Sequence, residues 1–589
     1  MLLRKLTMLV LAITLAGCAS RSVDSGAMDQ LVEQRRDTSV TCPPERTDRC
    51  AMASPLHQLA MDDRRHHLMI LDQGEAALIT RVHMIRAARK QIFLQNYIVN
   101  DDAASRLLLG ELIQAAQRGV QVKVLADALI SMPDPELQAA LEVAHENFQL
   151  LIYNPLRNEA VISNRQFFAA MFCCFRQLNH RMHNKIVSID GEHAILGGRN
   201  SAGRYFDLDT RMNYLDYEVL VSGPVVEEID SSFMEYWQHE LARPPRHTRD
   251  IASALEQQDV PAEIAPKEER FDFIRQQASD HGWLEEQWKK KGFRVEGVEY
   301  FSDPPAKTLL DTIPPQRNST TLLYNLITSA SHSVVIQSPY LVLSDDLHDA
   351  LQLASPAEVI ISTNSLASTD AFPVYAISRR ERHRLVSDLG LNVYEMKPFP
   401  QDINEFVPRY QTLIEEKEAG LYAPLRGDTR PPTRDMPGPR LSLHGKLLLI
   451  DDHTAVVTAH NFDPRSEVYN TENGIIVYDQ AFTAALREFV DQTIAPGNSW
   501  VSLEKPRKVP LLGDLNQWLA RGSRRLPTLD LWPGRLAQNY QQPDTRHDSQ
   551  EQAPSSTLQA VGEFPEVRAG RRFFTGFLSR MFGFTKPLM

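Results

Sequence analysis

Two segments of the chain share the pattern H-x-K-x4-D, which combines residue types suited to phosphate chemistry. The matched residues are His183, Lys185 and Asp190 in the first segment and His444, Lys446 and Asp451 in the second. An imidazole exchanges protons near neutral pH. Two histidines on opposite sides of a phosphodiester can therefore attack phosphorus and protonate the leaving oxygen. The pattern predicts phosphodiester chemistry at one site shared by both segments, by a mechanism that needs no metal ion.

The spacing inside each segment predicts how the side chains are presented. Residues two apart in a β-strand point to the same face, so each segment delivers an imidazole and an ammonium together. Lys185 and Lys446 would neutralise the non-bridging oxygens of the phosphate. Asn200 and Asn461 follow the two segments at the same offset. We expect them to bind the phosphate by donating hydrogen bonds to the charge that develops in the transition state.

The sequence around the two segments is repeated as well, which predicts two copies of one folding unit. The run QIFLQNYIV at 91–99 has its counterpart in SVVIQSPYLVL at 333–343, and a helical segment and a further strand follow each run. Downstream, LDYEVLVSGP at 215–224 matches TENGIIVYDQ at 471–480, which aligns Asp216 with Glu472. The alternation of strand, helix and strand predicts an α/β fold, with a mostly parallel sheet covered by helices in each copy.

The repeated motif resembles that of the phospholipase D superfamily, over roughly residues 68–491. The runs HRMHNKIVSIDG at 180–191 and NFDPRSEVYNTE at 461–472 are similar to the bacterial cardiolipin synthase branch, in particular its C type. The resemblance implies two homologous phospholipase D-like α/β/α sandwich halves, related by a pseudo-twofold axis, with the active site at their interface. It implies no cofactor. One departure is that Gly197–Gly198 after the first motif is replaced by Thr458–Ala459 after the second.

The resemblance also implies a role for each catalytic side chain. One histidine forms a phosphohistidine intermediate, and the other acts as general acid and then as general base. We assign these roles to His183 and His444 respectively, although the symmetry of the repeat leaves the order open. A carboxylate orients each histidine, and the aligned positions assign Asp216 to His183 and Glu472 to His444.

The motif aspartates and two of the cysteines are expected to be structural. By resemblance, Asp190 and Asp451 belong to the catalytic motifs but shape turns. Cys173 and Cys174 lie in an apolar run and are expected to be buried as small hydrophobic residues. No cluster of His, Cys, Asp or Glu has a spacing typical of a metal site.

The N-terminus has the pattern of a secretory signal. Residues 1–18 contain two basic residues, an apolar run, and then Leu-Ala-Gly before Cys18. Small residues followed directly by cysteine resemble the bacterial lipoprotein cleavage box, which makes Cys18 the lipidated residue. The alternative is a transmembrane anchor, for which the apolar run is short. In an oxidising compartment Cys42 and Cys50 could pair across a short loop.

The composition is that of a folded globular protein, with 589 residues, 43% of them hydrophobic, and a net charge of -12. This charge disfavours a function based on bulk attraction to nucleic acid. The predicted division is a signal peptide at 1–18, a tether at 19–65, a first half at 66–245, a linker or insertion at 246–315, a second half at 316–500 and a C-terminal extension at 501–589. In that extension, 541–557 has the composition of a disordered linker.

Two apolar segments suggest contact with a membrane. The run at 165–180 is rich in phenylalanine and either dips into the membrane surface beside the active site or packs on the core. The tail at 568–589 intersperses phenylalanines with basic residues. It is either an interfacial membrane helix or a terminal helix docked on the protein.

These features favour a lipid substrate. We expect phosphatidyl transfer between phospholipids, with phosphatidylglycerol and phosphatidylethanolamine as candidate substrates and cardiolipin as product. The alternatives are hydrolysis to phosphatidic acid, an extracytoplasmic nuclease, and an inactive lipid-binding lipoprotein. The expected location is the bacterial cell envelope, lipid-anchored and facing the periplasm. Because Ala19 follows Cys18, the outer membrane is favoured over the inner. No nucleic-acid partner is expected, and the oligomeric state is open.

Overall fold

The computed structural model describes residues 23–42, 50–59, 65–257, 264, 266, 271–354, 357–420, 436–504, 537–542 and 558–568. The strands of these ranges, in chain order, are β1 His66–Leu71, β2 Gln91–Asn96, β3 Gln121–Asp127, β4 Phe148–Tyr153, β5 Arg181–Met182, β6 Ile186–Ile189, β7 His193–Gly197, β8 Met212–Leu215, β9 Glu218–Ser222, β10 Ala242–Arg243, β11 Gly292–Val295, β12 Gly297–Ser302, β13 Ser333–Gln337, β14 Glu358–Asn364, β15 Asn392–Met396, β16 Arg440–Leu443, β17 Leu447–Ile450, β18 Thr454–Thr458, β19 Asn470–Thr471, β20 Asn473–Tyr478, β21 Ser499–Glu504, β22 Ala537–Gln541 and β23 Gln559–Gly562.

The α-helices of the same ranges are α1 Ser25–Arg35, α2 Leu56–Leu59, α3 Gly74–Ala87, α4 Ala103–Gln117, α5 Pro135–Glu142, α6 Asn164–Cys173, α7 Phe175–Asn179, α8 Val225–Gln238, α9 Arg249–Glu256, α10 Asp272–Ala278, α11 His281–Lys291, α12 Ser319–Thr328, α13 Asp345–Leu353, α14 Phe372–His383, α15 Ile403–Phe406, α16 Tyr410–Glu418, α17 Pro464–Val468 and α18 Gln480–Ile494. Short 3-10 turns occur at Gly203–Tyr205, Pro245–His247, Lys307–Leu309 and Pro315–Arg317, and a π-helical turn at Arg384–Asp388.

Most of these strands form two large sheets with the same internal order. The first sheet runs β10-β4-β3-β2-β6-β7-β9-β1-β11, and the second runs β12-β20-β18-β17-β13-β14-β15-β21-β22-β23. The series β4-β3-β2-β6-β7-β9-β1 of the first sheet corresponds, strand for strand, to β15-β14-β13-β17-β18-β20-β12 of the second. The chain therefore contains two copies of one α/β unit, as the repeat predicted.

Neither sheet is mostly parallel, which corrects the expectation from the strand–helix–strand alternation. Within the two large sheets, parallel pairing is confined to β2–β3–β4 and β13–β14–β15. After each motif, a turn of three residues joins β6 to β7 and β17 to β18. A connection that short can join only antiparallel strands, because a parallel pair needs a crossover of a dozen or more residues.

The two sheets share one apolar core, which fixes the halves against each other. Every residue of Ile186–Ile189 and of Leu447–Ile450 is buried. Burial of every residue along a strand is typical of strands covered on both faces. A single cluster of buried residues includes Ile186 and Val219 of the first sheet together with Leu447 and Ile475 of the second. The two units therefore pack as one body around the ends of the motif strands.

Two short parallel ladders also cross between the halves. Strand β5 of the first half pairs with β19 of the second, and β16 of the second half pairs with β8 of the first. Strands β5 and β16 lead directly into His183 and His444, whereas β8 and β19 end immediately before Asp216 and Glu472. The two ladders thus join each motif to the carboxylate-bearing segment of the other half.

The stretch 246–315 contributes one strand to each sheet, so this part of it is not a linker or insertion. Strand β11 extends the first sheet by pairing with β1, and β12 completes the second sheet by pairing with β20. The second half therefore begins near Gly297 and not at 316. The C-terminal extension also contributes structure, since β21, β22 and β23 continue the second sheet beyond β15.

Of the two predictions about cysteines within the described ranges, one is confirmed and the other is wrong. Cys42 and Cys50 form the predicted disulfide, with their Cα atoms 6.1 Å apart. Cys173 and Cys174 also form a disulfide, but the prediction that they are buried is wrong. Cys173 is exposed and Cys174 half-buried, because the short helices that meet there turn their apolar side chains to solvent.

Several expectations concern residues outside the described ranges. They are the signal at 1–18, the lipidated Cys18, the linker at 541–557 apart from its first two residues, and the tail at 568–589 apart from Arg568. Among the residues that are described, no helix combines the length and the apolar character needed to cross a membrane.

Candidate active site

The cross-half ladders place the two motif histidines at the junction of the halves. The backbone N–H of His183 donates to the carbonyl oxygen of Thr471 at 3.0 Å, and that of His444 donates to the carbonyl oxygen of Leu215 at 2.7 Å. Both imidazoles are buried, with 5% of each residue exposed. Each histidine is therefore fixed by a backbone bond to the residue that precedes the acid of the opposite half.

The acids pair with the histidines across the halves, which corrects the assignment made from the alignment. Nδ1 of His183 lies 2.7 Å from Oε2 of Glu472, and Nδ1 of His444 lies 2.6 Å from Oδ2 of Asp216. A carboxylate only accepts hydrogen bonds, so each Nδ1 carries its proton and each Nε2 keeps a lone pair. Asp216 and Glu472 are histidine partners as expected, but each serves the histidine of the other copy.

The motif lysines lie beside their histidines and are almost fully buried. Nζ of Lys185 donates to the carbonyl oxygen of His183 at 2.5 Å. Nζ of Lys446 donates to the carbonyl oxygen of His444 and lies 3.2 Å from its Nε2. Burial lowers the pKa of Lys185 to about 7 and that of Lys446 to about 8. Two ammonium groups with depressed pKa values gain from an anionic ligand, which a phosphodiester provides.

Burial and the lysines also keep the histidines neutral. Burial is the largest cause that lowers the pKa of His183, followed by the positive charges of Lys185 and Lys446. For His444, burial and Lys446 lower the pKa to about 4, although Asp216 acts in the opposite direction. The charge of Lys446 in the second motif thus reaches the histidine of the first motif, so the two segments form one site.

A buried arginine and a glycine fix the position of Asp216. The arginine bonds its backbone, and the glycine leaves room for its carboxylate. Burial alone would raise the pKa of Asp216, but His444, Lys446 and Arg199 together lower it to about 2. The Arg199 guanidinium donates to the backbone carbonyl of Asp216 at 2.5 Å. A Cβ atom on Gly198 would lie 2.2 Å from Oδ1 of Asp216, so only glycine admits the carboxylate at this distance. Asp216 thus requires glycine at position 198, whereas the aligned position in the second half, Ala459, is not a glycine.

Glu472 is supported differently, by the buried ion pair of Asp303 and Lys307, which lies in the predicted linker at 246–315. Its backbone N–H donates to Oδ2 of Asp303 at 2.9 Å. The same carboxylate accepts from Nζ of Lys307 at 2.9 Å and from the hydroxyl of Ser319 at 2.9 Å. Asp303 directly follows β12 as Asp72 follows β1. A strand-level alignment of the two copies could therefore have revealed it.

The motif aspartates lie outside the reacting centre and shape turns, as expected. Asp190 has a φ of 59° and Asp451 a φ of 52°, and each begins the turn after its motif strand. The carboxylate of Asp190 accepts from three consecutive backbone N–H groups at residues 89–91. Asp451 does the same at residues 331–333. Each aspartate thereby ties its turn to the entry of the neighbouring strand.

Asn200 and Asn461 are both buried, but their side chains differ in hydrogen bonding. Oδ1 of Asn200 accepts from the backbone of Ile98 at 3.1 Å, and Nδ2 donates to the hydroxyl of Tyr205 at 2.8 Å. Oδ1 of Asn461 is buried without a hydrogen-bond partner among the described residues. Asn200 thus braces Tyr205, whereas the amide oxygen of Asn461 is an unused acceptor.

This geometry agrees with the result of comparison with known protein families. The model of a family described as cardiolipin synthase, phospholipase D-like domain, matches residues 82–237 and 323–494. The two matches span more than half of the chain, and each contains one motif. The chain belongs to the phospholipase D-like cardiolipin synthase family. It is accordingly an enzyme of the phospholipase D superfamily.

Individual relatives of this family member cover most of its length. An uncharacterized protein of Helicobacter pylori strain J99 is 30% identical over 71% of this chain and 77% of its own length. Cardiolipin synthase C of Escherichia coli K12 is 28% identical over 70% of this chain and 81% of its own. The crystal structure of phosphatidylserine synthase from Haemophilus influenzae Rd KW20 is similar with 15% identity, a TM-score of 0.46, and coverage of 80% of this chain and 98% of the other.

A group of tyrosines that was not predicted from the sequence borders the histidines of this phospholipase D-like enzyme. Tyr97 lies edge-on to His183 with 4.8 Å between ring centroids, and Tyr205 lies edge-on to His444 at 5.0 Å. The hydroxyls of Tyr214 and Tyr340 both donate to Oδ2 of Asp370 at 2.9 Å. Tyr97 and Tyr340 occur at related places in the repeated runs, which was an available signal. Asp370 has no counterpart that the repeat would reveal.

Proposed function

We propose that the enzyme transfers a phosphatidyl group from one phospholipid to the hydroxyl group of another, giving cardiolipin through a phosphohistidine intermediate. The observation that carries the proposal is the pair of crossed histidine–carboxylate contacts, each with a lysine beside it. Two equivalent proton-exchanging groups around one phosphate suit a reaction in which one alcohol leaves and a second alcohol enters. Membership of the cardiolipin synthase family supports phospholipids as the substrate class.

In the first step, Nε2 of His183 attacks phosphorus and the bond from phosphorus to the leaving alcohol oxygen breaks. Nε2 of His444 donates its proton to that oxygen. The negative charge of a bound phosphodiester raises the pKa of His444, which allows it to hold this proton. Lys185 and Lys446 balance the charge on the non-bridging oxygens.

In the second step, His444 removes the proton of an acceptor hydroxyl, whose oxygen attacks phosphorus as the bond to His183 breaks. His183 is proposed as the nucleophile because the positive charges of Lys185, Lys446 and Arg465 all lower its pKa and favour the neutral ring. Glu472 then stabilises the positive charge that His183 acquires when it becomes phosphorylated.

The experiment supplies purified full-length enzyme with labelled phosphatidylglycerol in mixed micelles, with and without phosphatidylethanolamine, and resolves the products by mass. Cardiolipin supports transfer. Phosphatidic acid as the sole product would replace transfer by hydrolysis, and cleavage of DNA without lipid turnover would contradict both. His183→Ala and His444→Ala should each abolish turnover. The control is His453→Ala, since His453 is exposed on the turn between β17 and β18 and should retain the parental rate.

We further propose that the enzyme is attached to the bacterial cell envelope through a lipid on Cys18 and faces the periplasm, with the outer membrane favoured. The proposal is supported by the order of basic, apolar and small residues before Cys18. Cells that express the enzyme should incorporate labelled palmitate into it, and Cys18→Ser should remove the label. A labelled Cys18→Ser protein would contradict the proposal.

A further inference from the structure

Helix α6 exposes an unusual amount of apolar surface for a helix of ten residues. The exposed fractions are 38% for Phe167, 62% for Phe168, 38% for Met171 and 91% for Phe172, and Ala170 is the buried residue of the helix. These four side chains are a third of the exposed large hydrophobic residues in the described part of the chain. Contiguous apolar exposure on this scale is typical of a surface that has a partner.

The helix is well formed in spite of this exposure. Ser163 caps it by accepting from the backbone of Gln166, and the Gln166 side chain accepts in return from the backbone of Ser163, which completes a capping box. Local hydrogen bonds therefore hold the helix, and it does not depend on burying its phenylalanines in the core. Ten residues span about 15 Å, which is too short to cross a bilayer but sufficient to lie along its surface.

The apolar surface continues onto the neighbouring turn. The Arg176 guanidinium donates to the carbonyl oxygen of Thr308 at 2.5 Å, which joins the α7 segment to the turn at Lys307–Leu309. The next two residues, Leu309 and Leu310, are 53% and 44% exposed. Half of the exposed large hydrophobic residues of the described chain therefore lie on these two adjoining segments.

The charge along α6 and α7 is positive, although the chain as a whole carries -12. Residues 164–179 contain no Asp or Glu. Arg157 is exposed beside α6, Arg165 is exposed in its first turn, and Arg176 is exposed in α7. Phenylalanines flanked by arginines match the two layers of a bilayer surface, which are the acyl chains and the anionic headgroups above them.

The surface also adjoins the active site. Helix α6 leads through α7 and β5 into His183. Phe175 lies edge-on to Tyr469 of the second half at 6.1 Å, and Asn179 accepts from Arg465 at 3.2 Å. Arg465 belongs to the group of charges that act on His183. A bilayer held at α6 would therefore present its lipids close to the histidines.

We propose that α6 docks into the surface of an anionic phospholipid bilayer, with Phe167, Phe168, Met171 and Phe172 among the acyl chains and the flanking arginines at the headgroups. The proposal rests on the proposed function only in that the substrate lipid lies in the same bilayer.

The first experiment measures insertion directly, with the full chain and vesicles of phosphatidylglycerol and phosphatidylcholine that carry bromine on their acyl chains. Phe172→Trp adds a fluorophore at the most exposed position, and its emission should be quenched beyond that of the parent protein. Phe273→Trp is the matched control, because Phe273 is 51% exposed on α10, and it should add no quenching. Absence of added quenching at position 172, or equal quenching at 273, would overturn the proposal.

The second experiment separates docking from catalysis. In Phe168→Ser/Phe172→Ser, turnover of vesicle phosphatidylglycerol should fall at least tenfold, since two large apolar contacts with the membrane are lost. Turnover of short-chain phosphatidylglycerol below its micelle concentration should stay at the parental level, as should both activities of Phe273→Ser. An unchanged vesicle rate, or an equal loss on the monomeric substrate, would overturn docking.

Two further outcomes are distinguishable from these. If the parent protein turns over neither substrate while Phe172→Trp is still quenched, the proposed function fails and docking stands. If sedimentation without vesicles shows that the parent is a dimer and Phe168→Ser/Phe172→Ser a monomer, the occupant of the surface is a second copy of the chain. That result would overturn docking to lipid.

Discussion

Glu472 accepts a hydrogen bond from Nδ1 of His183 at 2.7 Å, although 289 positions separate the two residues in the sequence. The reciprocal contact, from His444 to Asp216, also joins the two halves. Neither half therefore contains a complete histidine–carboxylate pair. The cause is topological, because the short ladders β5–β19 and β16–β8 carry each motif alongside the acid-bearing segment of its partner.

The crossed pairing predicts which proton each acid controls. Glu472→Gln should remove the downfield Nδ1 proton signal of His183 and leave that of His444, while Asp216→Asn should do the opposite. Both variants should lose turnover by about 10³- to 10⁴-fold, because the tautomer of the affected histidine is no longer fixed. Proton spectra of histidine-labelled enzyme test the assignment. Loss of the His444 signal in Glu472→Gln would contradict the crossed arrangement.

The assignment of the nucleophile predicts a trapped intermediate in one variant. With a phosphatidyl ester of p-nitrophenol, the leaving group departs without a proton, so His444→Asn should release about one equivalent of nitrophenolate and then stall. His183→Asn should show no burst. Rapid-mixing absorbance measures the burst, and mass spectrometry of a digest locates the phosphoryl group. A burst in His183→Asn would exchange the two roles.

The glycine behind Asp216 predicts an asymmetric response to one methyl group. Gly198→Ala places a Cβ atom 2.2 Å from Oδ1 of Asp216, so the carboxylate must shift and turnover should fall about 100-fold. The matched change, Ala459→Gly, concerns the position that already tolerates a methyl group and should leave turnover near the parental value. Thermal unfolding of both variants checks that the fold is retained. Equal rates for the two variants would show that the close contact between position 198 and the Asp216 carboxylate does not affect turnover.

The lysines predict the alkaline limb of the pH profile. With pKa values of about 7 for Lys185 and about 8 for Lys446, the free enzyme loses site charge as pH rises through this range. The value of kcat/KM for monomeric phosphatidylglycerol should therefore decline between pH 7 and 8, since the neutral amines no longer balance the phosphate. Lys185→Arg keeps its charge and should move the decline to higher pH. A value of kcat/KM that stays constant up to pH 9 would contradict the assignment of the alkaline limb to the two lysines.

Buried histidines predict a loss of stability in mild acid. Burial is the largest cause that lowers the pKa values of His83, His180, His193, His444 and His460, each to about 3 or 4. Below the unfolded pKa of about 6.5 the unfolded chain binds more protons than the folded one, so the free energy of unfolding falls as pH drops from 6.5 towards 4. Each group contributes up to about 1.4 kcal/mol per pH unit.

Urea unfolding at pH 7, 6 and 5 measures this dependence. His460→Gln removes one of the five groups and should make the decline with pH shallower. A free energy of unfolding that is constant from pH 7 to 5 would contradict it.

The repeat in the sequence was sufficient to predict the two units and to place both histidines and both lysines in one site. The pairing of acids was not predictable from alignment. Aligned residues occupy equivalent places within each half, whereas Asp216 and Glu472 act across the interface. The spacing of the motif also contains no information on whether the next strand returns as a hairpin. For this reason the parallel content of the sheets was overestimated.

Other parts of the site lacked a local signal. Lys307 lies in a stretch without a recognisable motif, and its importance arises only because it pairs with Asp303, which bonds the backbone of Glu472. The tyrosines around His444 come from three separate segments and meet through the fold. Single side chains brought together from distant segments leave no periodic pattern to read.

The two ladders that cross between the halves have a consequence for how such a chain could arise. A protein made of one half alone would hold a histidine and an acid that cannot reach each other, so it would be competent only as a self-associated pair. Fusion of two such copies into one polypeptide makes the encounter intramolecular. It also allows the two copies to differ, because neither copy has to form an active pair with an identical copy. Asp216 with Gly198 on one side, and Glu472 with Ala459 on the other, are two separate solutions that a symmetric homodimer could not have combined.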